Sequence, residues 1–230
     1  MNEGLLCDNI AKLLERVRLA AEKSQRAAGD IRVLAVSKTQ PAEAVRTAFH
    51  CGLDHFGESY LQEALSKIGA LADLPLTWHF IGPIQSNKTR AIAEHFDWVH
   101  SVDRSKIARR LHESRPEGFA PLQVCLQVNI SGELSKSGIT LDELPQLVQE
   151  VLLLPRLTLR GLMAIPAPTG DEAAQREVFA LLRCALLQSR EQAATMDTLS
   201  MGMSDDLEAA VAEGSTLLRI GSSIFGSRNR

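Results

Sequence analysis

Tyrosine occurs once in the 230 residues, as Tyr60, and aromatic side chains make up only 4 % of the chain. Chemistry that needs a phenol therefore has a single candidate. Charge of one sign is missing too: 25 basic residues face 28 acidic ones for a net charge of −3, which gives no broad basic field and no expectation of a nucleic-acid partner. Long apolar runs are absent; stretches such as "VLLLP" are far too short to span a bilayer, so no membrane partner is expected. The first residues, "MNEGLLCDNIAKLLERVRLA", lack the basic-then-apolar order of a secretory signal. Four cysteines, Cys7, Cys51, Cys125 and Cys184, are scattered without a CxxC pair, which reads as reduced thiols in a cytoplasmic protein. His50, Cys51 and His55 lie close together, but no fourth ligand has zinc-like spacing and no metal is expected. No linker, charge block or low-complexity tract interrupts the chain, which argues for a single domain over residues 1–230.

What is present is alternation. The composition, 45 % apolar and 23 % charged, is that of an ordinary globular protein. Leu5, Leu13, Leu14, Val17 and Ala21 recur at helical spacing, with Gly29 beyond them, and predict an amphipathic helix at the front of the chain. "VLAVSK" then reads as a strand, and a helix opens at Pro41 and stops at Gly52. Seven further apolar runs follow: "DHFGES", "TWHFIG", "DWVHSV", "LQVCLQVNI", "LRGLMAIP", "TLSMGM" and "LLRIGSSIFG". Helical stretches separate them. Strands alternating with helices imply a parallel sheet, and eight such units in a chain of this length fit a (β/α)8 TIM barrel. The last strand has little chain left for a helix, and the extra N-terminal helix can occupy that place. A doubly wound open sheet is the competing architecture, and periodicity alone does not separate the two.

In a barrel the reactive groups sit at the carboxyl ends of the strands. Those ends bring Lys38, Gly57-Glu58-Ser59, Gly82-Pro83, Asn129, Gly202-Met203-Ser204 and Arg219-Ile220-Gly221-Ser222 to one mouth. Lys38 reads either as a solvated strand cap or as an amine kept nucleophilic by burial or by a nearby cation, for which Arg219 is the candidate. Ser204 reads as the N-cap of the helix in "GMSDDLEAA", and the same position suits a phosphate ligand. Ser204, Gly221 and Ser222 would converge on one phosphate, because the turns after strands seven and eight often form such a site. A phosphate cradle beside a carbonyl-reactive lysine is the pattern of pyridoxal 5′-phosphate held as a Schiff base. His79 either points into the barrel near the cofactor ring or is a satisfied core histidine. The role of Glu58 is open. Asn87, Lys88 and Arg90 in "QSNKTR" either meet an incoming phosphate or form a solvated helix turn. Lys136, in the polar, glycine-flanked "GELSKSG", suits a mobile lid.

The ordered blocks "VLAVSKT", "HFGESYLQEALSK", "WHFIGPIQSNK", "VHSVDR", "VNISGELSKSGI", "LRGLMAIP", "LSMGMSDDLEAA" and "RIGSSIFG" resemble the family of pyridoxal phosphate homeostasis proteins, the YggS/PROSC type, from about residue 31 to 228. The resemblance implies a barrel like that of alanine racemase. It also implies pyridoxal 5′-phosphate as cofactor, Lys38 as its Schiff-base lysine, Ser204, Gly221 and Ser222 as phosphate ligands, and Arg219 facing the pyridine nitrogen. Ser59, near the cofactor, stands where the family usually has Asn, and Ser222 where it often has Thr, keeping the hydroxyl. Proteins of this type are thought to bind, buffer and hand over the cofactor, with enzymes that depend on it as possible recipients and no established turnover. The alternative is a cofactor-dependent amino-acid racemase. Arginine cannot accept the ring nitrogen's proton, so Arg219 leaves the ring a weak electron sink. The racemase's second base is a tyrosine from an additional β domain of a neighbouring subunit. That domain is expected to be missing after Arg230, which favours a monomer, and Tyr60 is a poor substitute.

Overall fold

The structure, a computed structural model, describes residues 3–133 and 137–226. Its order is α1 (Glu3–Lys23), β1 (Arg32–Val36), α2 (Ala42–His50), β2 (His55–Glu58), α3 (Leu61–Ala70), β3 (Thr77–Phe80), α4 (Thr89–His95), β4 (Trp98–Val102) and α5 (Ser105–Ser114). Then follow β5 (Leu122–Gln127), α6 (Leu144–Leu152), β6 (Leu157–Met163), α7 (Glu172–Arg190), β7 (Thr198–Ser200), α8 (Leu207–Ala212), β8 (Leu217–Ile220) and α9 (Ser222–Phe225). The eight strands are parallel and close on themselves, with β8 pairing β1 in the register Leu34↔Arg219 and β1 pairing β2 in the register Ala35↔Phe56. Closure decides for the barrel over the open sheet. It also removes every strand edge from solvent.

The barrel wall has two apolar sides. Buried strand residues such as Ala35, Phe56, Phe80 and Val124 join helix residues such as Leu111 and Phe179 in one large core. Trp98, Cys125 and Met163 form a separate small cluster. The N-terminal helix packs on α8, α9 and α2, taking the place that the four-residue α9 is too short to fill. Its buried stripe is Leu6, Ile10, Leu13, Val17, Ala20 and Ala21, whereas Leu5 and Leu14, expected inside, are 55 % and 42 % exposed. The chain offers adjacent leucines at both places, and the i, i+3, i+4, i+7 spacing from Leu6 is the phase that reaches the barrel.

One expectation is overturned outright. Cys7 of α1 and Cys51, just past α2, are not free thiols: they form a disulfide across 44 residues, with Cα atoms 5.4 Å apart. Packing α1 beside α2 brings the two together, a proximity that their spacing in the chain does not encode. Among the described residues, Cys125 is a buried thiol and Cys184 an exposed one.

Candidate functional site

The carboxyl ends of β1, β7 and β8 enclose a cavity of about 290 Å³. Lys38, Ser59, Ser204, Arg219, Gly221 and Ser222, all expected at the mouth, line it together. Val36, Ile81, Ile165 and Phe225 supply apolar walls. Gln40 and Asp205 also border the cavity. The size and mixed lining suit a small planar ligand with a few polar anchor points.

Each polar group has a local reason for its place. Lys38 lies two residues beyond β1, in a turn where Gln40 N donates to Ser37 O at 3.0 Å. Gly202, at φ +94°, lets the chain turn sharply after β7; a Cβ there would sit 2.5 Å from Ala210 Cβ. Ser204 is not the helix N-cap. That position belongs to Asp206, whose carboxylate accepts from Met203 N at 2.6 Å. Ser204 is instead left in the turn, where its Oγ accepts from Ser222 Oγ at 2.9 Å and from Ser223 N at 3.3 Å. The turns after β7 and β8 therefore meet at two hydroxyls, a pairing suited to an oxyanion.

Arg219 is buried at the cavity floor, 4 % exposed. It donates to the Ser200 carbonyl, to Ser200 Oγ at 2.8 Å and to Ala164 O at 2.8 Å. Burial lowers its pKa to about 10, partly offset by Asp206, so the guanidinium stays cationic near neutral pH.

His79 does not line the cavity. It is fully buried in the barrel, stacked on Trp98 with ring centroids 5.4 Å apart. It belongs to a polar chain: His55 Nδ1 to His79 Nε2 at 2.7 Å, His79 Nδ1 to His100 Nε2 at 2.8 Å, and His100 Nδ1 to Ser200 Oγ at 2.8 Å. With Arg219 donating to Ser200 Oγ, the arrangement that gives every group of the chain a partner has the serine hydroxyl donate onward to His100 Nδ1. His100 then gives its Nε2 proton to His79 Nδ1, and His79 its Nε2 proton to His55 Nδ1, which neutral rings can do. Burial pushes all three down, His55 to about 4 and His100 to about 3, so neutral rings are the stable form. The core reading of His79 is the one its surroundings support.

Glu58 also faces away from the cavity. It is fully buried and accepts from Ser37 Oγ and from Lys67 Nζ, both at 2.7 Å. Lys67 lies within a quoted motif, yet nothing in its spacing shows that α3 carries it under the end of β1. Lys88 closes a short 3-10 turn ahead of α4, and Lys136 lies outside the described residues.

A closed parallel barrel with a lysine at the rim of its first strand and paired hydroxyls at its last two turns is a small-molecule-binding barrel. The family model described as "Alanine racemase, N-terminal domain" matches residues 9–229. The pyridoxal phosphate homeostasis protein of Pseudomonas aeruginosa is 61 % identical over 224 residues, covering 97 % of this chain and 96 % of that protein. Its Escherichia coli counterpart is 49 % identical, with 97 % of each chain covered. PipY of Synechococcus elongatus, solved with pyridoxal phosphate bound, is 40 % identical with a TM-score of 0.79, over 96 % of this chain and all of its own. Alanine racemase of Corynebacterium glutamicum shares the fold at a TM-score of 0.71 and 17 % identity, over 96 % of this chain and 62 % of its own. The chain belongs to the alanine racemase N-terminal domain family and, within it, to the pyridoxal phosphate homeostasis proteins.

Proposed function

We propose that this chain binds pyridoxal 5′-phosphate as one unit in the strand-end cavity, holding it as a Schiff base on Lys38. The phosphate would rest on Ser204, Gly221 and Ser222, the ring would lie between the apolar walls near Ser59, and Arg219 would face the pyridine nitrogen. The observation that carries this reading is the convergence of one lysine, one buried arginine and the Ser204–Ser222 hydroxyl pair on a single cavity of about 290 Å³. These are the groups the cofactor needs: an amine for its aldehyde, donors for its phosphate and a flat apolar slot for its ring. A structural relative carries the same cofactor.

The role we propose is to hold and release the cofactor in the cytoplasm, as a monomer, with cofactor-dependent apoenzymes as recipients. No helix among the described residues is long and apolar enough to cross a membrane. Racemisation is the less favoured reading. A cationic arginine keeps the ring nitrogen unprotonated and weakens carbanion stabilisation, and Tyr60 stands 53 % exposed, away from the cavity lining.

Borohydride reduction of the protein incubated with pyridoxal 5′-phosphate, followed by peptide mapping, tests the assignment. Lys38 is expected to carry the label, and Lys38→Ala is expected to lose the visible imine band while keeping weak binding. A label on another lysine, or on none, would sink the reading. Sustained α-proton exchange of L-amino acids in deuterated water at enzyme-like rates would favour the racemase instead.

A further inference from the structure

The turn that presents Lys38 has a backbone its sequence does not favour. Ser37 O accepts from Gln40 N, which closes a four-residue turn with Lys38 and Thr39 at its centre. Thr39 has φ +67°. A left-handed third residue marks the type II form, which normally places Gly or Asn there, and a β-branched residue is poorly suited to it. Type II differs from the commoner type I by rotation of the central peptide, here the Lys38–Thr39 peptide. Something outside the turn must hold that rotation.

An ionic cluster, buried at Lys67 and Glu58 and half-buried at Glu63, does so. Lys67 of α3 is 4 % exposed, and its Nζ donates to Ser37 O at 2.6 Å, Glu58 Oε1 at 2.7 Å and Glu63 Oε1 at 2.6 Å. Three N–H groups meet three acceptors, which uses the whole ammonium. Glu63 Oε1 also accepts from Thr39 N at 2.5 Å, the N–H of the rotated peptide itself. Glu58 Oε1 receives Ser37 Oγ, so the residue before Lys38 is held through both its carbonyl and its side chain. Glu58 Oε2 remains buried with no hydrogen-bond partner among the described residues.

We infer that Lys67, Glu58 and Glu63 are positioning residues for Lys38: they fix the peptide groups on both sides of it and so aim its amine into the cavity. This rests on the cofactor reading above. There the Lys38 nitrogen adds to the aldehyde carbon, a C=N bond forms and one water leaves. The cluster touches neither ligand nor reacting atoms. Its effect is to hold the one backbone rotation from which the amine reaches the aldehyde, leaving the phosphate end of the cavity untouched.

The test separates those two ends with two probes, pyridoxal 5′-phosphate and pyridoxine 5′-phosphate, which shares ring and phosphate but lacks the aldehyde. Glu63→Ala is expected to lower the apparent affinity for the aldehyde about tenfold, the scale of one lost charge-assisted hydrogen bond, while changing pyridoxine 5′-phosphate binding by less than about threefold. Glu63→Gln, which keeps an acceptor for Thr39 N–H, should restore most of the loss. Thr39→Gly placed on Glu63→Ala should also restore it, because glycine adopts the left-handed conformation unaided. Equal weakening of both probes, or no weakening of either, would overturn the inference. If wild-type protein gives no borohydride-stable adduct at Lys38, the cofactor reading falls separately. The clamp is then judged by amide hydrogen exchange at Thr39. Protection lost in Glu63→Ala supports it, and an unprotected wild-type amide refutes it.

Discussion

Ser204 shows how one side chain can join two parts of a site. Its Oγ accepts from the turn after β8, through Ser222 Oγ at 2.9 Å and Ser223 N at 3.3 Å, while its carbonyl accepts from Arg16 Nη1 at 2.9 Å. Arg16 is in turn paired with Glu208 on α8. The backbone of the turn is thus secured from α1, independently of the hydroxyl. Ser204→Ala should therefore remove the anchoring oxygen without displacing the turn. Affinity for pyridoxal 5′-phosphate and for pyridoxine 5′-phosphate is expected to fall together, by roughly three- to tenfold, the range of one neutral hydrogen bond. Titration calorimetry with both ligands reads this directly. A loss confined to the aldehyde would place Ser204 near Lys38 chemistry instead of at the phosphate.

Among the elements, α1 contributes most beyond the barrel repeat. It covers α8 and α9 with its buried stripe, and the Cys7–Cys51 bond ties it to the end of α2. Closing a 44-residue separation removes much of the freedom of the unfolded chain, for a stabilisation of up to about 4 kcal/mol in the chain-entropy account. Reduction, or Cys7→Ser, should lower the thermal midpoint by several degrees, and reductant should have no further effect on the Cys7→Ser protein. A wild-type melt that ignores reductant would mean the bond contributes nothing in solution. The elements also show what was legible in the chain. All eight strands could be read, because strands buried in a parallel sheet are short apolar runs and the helices between them carry their own period. The phase of α1 could not, since Leu5-Leu6 and Leu13-Leu14 offer two stripes and only the packed partner selects one. Lys38, Ser59, Ser204, Arg219, Gly221 and Ser222 were legible because strand ends share a mouth in any barrel. Asp206 in place of Ser204 as N-cap, the Cys7–Cys51 pairing and the Lys67 cluster were not, because each depends on how far a helix or turn slides against its neighbour. That quantity has no local sequence signal.

For the molecule as a whole, the polar line through the barrel makes a statement about acid. His55, His79 and His100 are neutral in the folded protein, their pKa values lowered chiefly by burial: His55 to about 4, His100 to about 3 and His79 well below its usual value. In the unfolded chain each returns to about 6.5. Between those limits the unfolded state binds more protons than the folded one, so stability is complete above roughly pH 6.5 and is lost as pH falls toward 4. Each histidine contributes a slope approaching about 1.4 kcal/mol per pH unit. Glu58 opposes this trend. Burial raises its pKa, so the folded state gains protons relative to the unfolded one as pH falls, but it is one group against three. The carboxylates lowered by arginine partners, such as Asp73 beside Arg46 and Glu15 beside Arg18, add to the loss only at more acid pH, near their own ordinary values. Urea denaturation at pH 7 and pH 5 should therefore show a clear drop in unfolding free energy before the carboxylates begin to titrate. The slope between those values should shrink in His55→Gln, which keeps a neutral hydrogen-bonding side chain at the more accessible end of the line. A stability profile flat from pH 7 to pH 5 would mean that the rings are not held neutral, and with that the directional chain ending at Arg219 would be lost.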